Sequence, residues 1–390
     1  MARRVLLLGG GHAHVQVLQA CAREAIVGAD LVMVTPYARQ IYSGMVPGLI
    51  AGHYALDDCV IPLQPLATAA GAQLLIGSAV ALDAAARRVQ LADGRTVDYE
   101  LLSIDTGAAL DRGRIPGARE NALFVRPMEP FIEQLQALLG RNTRRTLEVL
   151  VLGGGAAGVE LTLALDHRYN AGAAQPLANL TLLTGGAKPL ATHAAGVRKR
   201  VARVLAQQRV NVLQETCTAL GERMAHLGSG AKLACDVAIV ATGAEAPQWL
   251  AGSGLVLDDK GFVLTGETLQ SVSHANVFAV GDVATRRDAP HPKSGVYAVR
   301  AGPPLAANLR SAVESGELQN YTPQAHALNL LACGERQAIA SWGPLSAQGA
   351  WVWRWKDRID REFIAKYAVK EASKAAPKVR AADAPPTRGA

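Results

Sequence analysis

The sequence predicts an α/β fold: two Rossmann-like dinucleotide-binding units, one carried inside the other, and a small C-terminal α+β region. Three observations predict it. A short apolar run at 4–8 opens directly into Gly9-Gly10-Gly11-His12-Ala13-His14. A second run, at 147–152, opens into Gly153-Gly154-Gly155-Ala156-Ala157-Gly158, 144 residues later. Each glycine cluster precedes a helical stretch (14–23 and 156–167) and then another apolar strand (30–35 and 179–184). Strand, glycine turn, helix and strand in that order form a βαβ unit, and here it occurs twice.

The remaining elements follow in order. Short strands are expected within 74–91 and 97–105, with Ala92-Asp93-Gly94-Arg95 as the turn. After the second unit come a helix at 197–208 and strands near 210–213 and 237–240. A strand at 277–280 and a helix at 295–313 close the main body. In the C-terminal region Trp351, Trp355, Ile359, Phe363 and Tyr367 recur every four residues, widened by Val352, Ile364 and Val369. Arg354, Arg358, Arg361 and Lys366 are interspersed. That pattern describes a basic amphipathic helix, docked on protein (its own core or a second subunit) or lying in a membrane interface. Four of the five Trp fall between 342 and 355, which is compatible with the interfacial alternative. Residues 371–390 are rich in Ala, Pro and Lys, lack apolar periodicity and are expected to be disordered.

Composition limits the function classes. With 390 residues and 49% hydrophobic content, the chain supports two or three cored domains. No 18-residue apolar stretch predicts a transmembrane helix. The apolar run after Arg3-Arg4 is too short for a secretory signal. The five cysteines, Cys21, Cys59, Cys217, Cys235 and Cys333, form no CxxC or CxxxxC pair. Buried thiols in a reducing cytoplasm fit better than a disulfide framework, a metal site or a redox dithiol. Of the formal charge of +7, residues 351–390 carry +5, from ten Lys/Arg against five Asp/Glu. A basic end on a nearly neutral body suits a cytoplasmic protein with a surface contact, the inner face of a membrane being one such surface, and not a nucleic-acid-binding fold.

The glycine turns carry the chemistry. The first Gly allows the tight turn, the second lets backbone approach a diphosphate, and the third lets helix and strand pack closely. The helix N-terminus adds free N–H groups and a positive dipole end. Gly153, Gly155 and Gly158 fit fully. The first copy has His14 at the third position, so His12 and His14 either help hold a diphosphate or pack against the next layer. Thr35 and Thr184 stand where an acid ordinarily binds a ribose. Arg39 and Lys188 follow them, so a 2′-phosphate is compatible and the coenzyme stays open between NADH and NADPH. Leu102-Ser103-Ile104-Asp105-Thr106-Gly107 and Ile239-Val240-Ala241-Thr242-Gly243 are matching strand-to-turn elements. Val277-Phe278-Ala279-Val280-Gly281-Asp282 ends a strand on a carboxylate.

These residues resemble the two-dinucleotide-binding-domain flavoproteins of the pyridine nucleotide–disulfide oxidoreductase superfamily, with type II NADH dehydrogenase and sulfide:quinone oxidoreductase as similar branches. The segments Gly9–Val15, 42–54 and 292–300 are also similar to the FAD-dependent module found alone or fused to selenide, water dikinase. With no dikinase region following, this chain looks like the stand-alone form. The resemblance implies FAD at Gly9, Gly11, His12, Ala13, His14, Thr35, Pro36, Arg39, Val80, Thr106, Gly107, Gly281 and Asp282, with Pro47 against the isoalloxazine. It implies NAD(P)H at Gly153, Gly155, Gly158, Glu160, Thr184, Thr242 and Gly243. Glu160 would lie near the nicotinamide amide. Lys293, in Pro292-Lys293-Ser294-Gly295, would stabilise negative charge at the flavin, so Lys293 and Glu160 are the catalytic candidates.

The implied organisation is a discontinuous FAD domain (1–112 and 260–324), an inserted NAD(P)H domain (113–259), and a C-terminal cap or docking region (325–370). The implied reaction passes hydride from NAD(P)H to flavin and on to a small acceptor, a quinone being the first choice. Val296 and Arg300 stand where type II NADH dehydrogenases carry glutamines. Cys333 is the sole C-terminal thiol where sulfide oxidoreductases use cysteines. Reduction of selenium or sulfur species, or a flavin redox sensor docking through the Trp-rich helix, are the alternative expectations.

Overall fold

The computed structural model describes residues 2–140 and 145–368. The segment 371–390 lies outside the described residues, as does Val369.

Two five-stranded parallel sheets organise the chain. The first has the order Val277–Ala279, Leu101–Ile104, Arg3–Leu8, Ala29–Thr35, Gln73–Ile76. The second has the order Ala122–Phe124, Val237–Val240, Leu147–Leu152, Ala178–Leu183, Asn211–Leu213. All strands of the second lie, in sequence, between two neighbouring strands of the first. The central strands are apolar without alternation because both sheet faces are covered, as parallel sheets require. Val5, Leu6, Leu7 and Leu8 are all buried. On one face Val5 and Leu7 pack with the helices His12–Arg23 and Gly295–Glu314; on the other, Leu6 and Leu8 meet Leu82, Val89 and Leu91.

Each parallel sheet has a three-stranded antiparallel companion. Ala79–Asp83, Arg88–Leu91 and Thr96–Asp98 accompany the first, and Cys217–Leu220, Met224–Leu227 and Lys232–Ala234 the second. The glycine turns lie at the C-terminal ends of Arg3–Leu8 and Leu147–Leu152, where helices His12–Arg23 and Ala156–Asn170 begin. Ligands of open α/β sheets bind at such ends.

The C-terminal region holds an antiparallel sheet that periodicity did not resolve: Asn329–Cys333, Glu335–Trp342 and Leu345–Gly349. Helix Ala350–Ala365 follows and docks through Val352, Lys356, Asp360 and Phe363. The expected single apolar face needs correction. Trp351, Trp355 and Ile359 are 52%, 41% and 37% exposed, whereas Phe363 and Tyr367 are buried. The cause is geometric. Four residues turn about 400°, so a four-residue row drifts about 40° per step and swings about 160° from Trp351 to Tyr367. The row starts in solvent and ends in the core. No helix among the described residues is long and apolar enough to cross a membrane.

Candidate active site

The first glycine turn begins at Gly9, whose φ of +99° is the left-handed region that glycine alone enters freely. His14, at the third position, is fully buried. Its Nδ1 lies 2.6 Å from the Gly9 carbonyl oxygen and its Nε2 2.8 Å from Ser103 Oγ. The imidazole is thus held within the protein on both sides, and burial draws its pKa down to about 4. Asp105 Oδ2 accepts the N–H of Ala13 at 2.8 Å and of His14 at 3.1 Å. The protein's own carboxylate therefore sits on two amides at the start of the helix. Burial pushes Asp105 up to about 6, against the lowering pull of those amides.

His12 differs from His14. Its Nε2 is buried without a hydrogen-bond partner. The ring meets Tyr42 edge-on at 5.6 Å and tilts against Phe363 at 6.2 Å. Burial lowers its pKa, with Asp105 and Asp282 pulling the other way.

The other first-unit candidates scatter around this turn. Thr35 is buried at a strand end, next to Gly10. Pro36 and Thr106 are exposed and Gly107 is half-buried. Arg39 reaches Glu133 at 3.6 Å. Val80 is 46% exposed on strand Ala79–Asp83. Gly281 adopts φ +70°, and Asp282 pairs with Arg126 at 2.9 Å.

The second unit brings its candidates together more tightly. Gly153 (φ +132°) opens the turn, and a Cβ at Gly158 would overlap the Gly153 carbonyl oxygen. The same construction at Gly155 and Gly243 meets nothing within 4 Å, so both face open space. Gly153, Gly155, Glu160, Thr184, Thr242 and Gly243 line one cavity of about 2100 Å³. Gly158 stays behind it as packing. Open space before a glycine turn and a helix start is a cradle that fits a dinucleotide diphosphate.

The cavity continues past Glu160 to His12, Tyr42 and Pro47, to Lys293, Val296 and Arg300, and to the C-terminal helix. Of the expected first-unit residues, His12, Pro47 and Lys293 reach it. Lys293 Nζ donates to the Ala284 carbonyl and to Thr285 Oγ1, and stands 3.9 Å from the Phe262 ring centroid. Burial lowers it to about 8.

Between the turn and the C-terminal helix lies a polar cluster that pattern reading missed. Glu160 Oε1 accepts the Ala332 N–H at 2.7 Å, and burial lifts its carboxyl to about 7 against the pull of Lys356. Lys356 Nζ donates to Gly44 O at 2.5 Å and to Asp360 Oδ2 at 2.6 Å. Lys356 and Asp360 are 7% and 4% exposed. The signal was a charged pair four residues apart, in line with Val352 and Phe363. Cys333 is buried nearby, its thiol pushed up to about 12 by burial and by Glu160. A thiol so held is inert.

The comparisons agree with this geometry. A family model described as pyridine nucleotide-disulphide oxidoreductase matches residues 3–302. The chain is 25% identical over 284 residues to ferroptosis suppressor protein 1 of Xenopus tropicalis, covering 68% of this chain and 70% of that protein. It is 25% identical over 300 residues to an NADH dehydrogenase-like protein of Mycobacterium tuberculosis, covering 73% of each. In fold it is similar to the sulfide:quinone oxidoreductase of Aquifex aeolicus (TM-score 0.78, 18% identity, 94% of this chain and 91% of that one). It is also similar to NDH2 from Plasmodium falciparum in complex with NADH (TM-score 0.76, 13% identity, 94% and 98%). With more than three quarters of its length matched by the family model, the chain belongs to the pyridine nucleotide-disulphide oxidoreductase family.

Proposed function

We propose that this FAD-dependent NAD(P)H oxidoreductase delivers its electrons to a quinone bound beside the C-terminal helix. One observation carries the reading: a single cavity runs from the second glycine turn, past Glu160, to Pro47 and helix Ala350–Ala365. In this reading donor and acceptor take separate ends of one continuous space. A relative named as an alternative NAD(P)H-ubiquinone oxidoreductase points to the same acceptor class.

FAD, when bound, supplies two-electron transfer between a nicotinamide and an acceptor. The Gly9–His12 turn would hold it, with Pro47 and Lys293 toward its ring and Asp282 toward its ribityl chain. The turn at Gly153–Ala157 would hold the coenzyme diphosphate. Lys293 adds positive charge at the cavity edge. Lys356 ties the Gly44 carbonyl to Asp360 and so fixes the loop before Pro47.

Proton balance gives Glu160 its role. Reducing a quinone to a quinol takes two electrons and two protons, and a hydride brings two electrons with only one proton. The second proton must come from the protein or water. A half-buried carboxyl with a pKa about 7 carries a proton in about half of the molecules at neutral pH. Glu160 is protonated below that value and empties above it.

Trp342 and Leu345 on the hairpin, and Trp351, Trp355 and Ile359 on the helix, are exposed near Arg354 and Arg358. Such a surface suits the interface of an anionic membrane, where quinones dissolve. Co-sedimentation with anionic vesicles, absent with neutral ones, is the expected behaviour; no sedimentation with either would remove this part.

Anaerobic stopped-flow mixing tests the core. NADH or NADPH should bleach the flavin, and a short-chain quinone should restore it. Failure of both coenzymes would sink the donor half, and failure of quinones alone the acceptor half. In Glu160→Gln bleaching should persist, while quinone reduction drops about 100-fold and loses its pH break near 7.

A further inference from the structure

We infer that Glu215 selects the coenzyme, taking a free adenosine ribose and rejecting a 2′-phosphate, so that the protein uses NADH; this rests on the second glycine turn holding the nicotinamide dinucleotide. The strand leading away from that turn, Ala178–Leu183, ends at Thr184 with no acid. The Thr184 hydroxyl donates back to the Ala187 carbonyl and closes the segment on itself. The next strand, Asn211–Leu213, supplies the carboxylate instead. The Gly185 N–H donates to the Glu215 carbonyl oxygen at 3.0 Å, which joins the two strand ends. Glu215 lines the cavity together with Thr184 and Gly185. Its Oε2 accepts the Ser229 N–H at 3.3 Å, which orients the side chain.

The neighbouring cations do not reverse this field. Lys188 is exposed and is not on the cavity wall. His193 is on the wall, and burial lowers its pKa, which works against a positive charge there. A carboxylate accepts hydrogen bonds from the two ribose hydroxyls. It repels the two negative charges of a 2′-phosphate, and Lys188, the basic residue that follows Thr184, is not on the wall to offset that repulsion.

Titration calorimetry of the holoprotein with 5′-AMP and with 2′,5′-ADP tests the selectivity without turnover. The expected result is 5′-AMP binding about tenfold or more tightly. In Glu215→Gln, with unchanged flavin content and thermal unfolding, the two ligands should approach parity. In Glu215→Lys the order should invert. Equal binding, tighter 2′,5′-ADP, no binding of either, or unchanged selectivity in both variants would overturn the assignment. The hydride reading fails separately: AMP selectivity with no flavin bleaching by NADH would leave Glu215 standing and remove the donor half-reaction.

Discussion

The two glycine turns do one job with different parts. In the second, Gly158 lets the helix approach until its backbone touches the Gly153 carbonyl. In the first, His14 stands at that place, and its ring holds the equivalent Gly9 carbonyl at 2.6 Å. The second unit has Ala241 after strand Val237–Val240, while the first has Asp105 after the matching strand Leu101–Ile104, and the Asp105 carboxylate sits on the helix amides. One turn is an open cradle; the other is braced by an imidazole, a hydroxyl and a carboxylate. The difference teaches that the third glycine serves close packing, and that a buried hydrogen-bonding side chain can replace it.

Three substitutions sharpen or break that comparison. The largest effect is expected from Gly158→Val. The second helix must withdraw from its strand, at a cost of about 3 kcal/mol or more, and coenzyme binding should be lost while the flavin stays. Urea unfolding and a coenzyme titration measure both, and retained NADH affinity would show that close approach is dispensable there.

Asp105 comes next. Its pKa is about 6 in the fold and 3.8 ordinarily, so the folded state holds the proton more tightly than the unfolded chain. The stability it contributes is full below about pH 4 and falls as pH rises to about 6, by about 3 kcal/mol. Above that the loss is constant. The stability difference between wild type and Asp105→Asn should follow this slope across pH 4–7. A flat difference would mean that burial does not raise the Asp105 pKa in the fold.

The smallest effect belongs to Ser103→Ala, which removes one neutral partner of His14. About 1 kcal/mol is expected, measurable as a lower urea midpoint with unchanged flavin binding. A loss as large as that of the glycine substitution would place the brace on the hydroxyl and not on the Gly9 carbonyl.

Much of this was legible in the sequence because it rests on local pattern. Strand Leu147–Leu152, the turn at Gly153 and the helix from Ala156 fall where apolar runs and glycines require them. What stayed hidden depends on contacts far apart in the chain. Glu160 and Lys356 are separated by 196 residues and meet only through docking of the last helix. Glu215 escaped because an acid is ordinarily found at the end of strand Ala178–Leu183, and the fold supplies it after Asn211–Leu213. Four-residue recurrence misled for a different reason: it is not the helical repeat, so Trp351 and Phe363 belong to opposite surroundings.

The insertion of one sheet within the other also orders events during synthesis. Strand Leu101–Ile104 must wait for its neighbour Val277–Ala279, which begins 173 residues after Ile104. At roughly 5–20 residues per second, that delay is on the order of 10–35 s on the ribosome. Meanwhile all five strands of the second sheet emerge without interruption. The second sheet can therefore close while the edge of the first is still unpaired, and that edge is where a nascent chain is most exposed to wrong pairing.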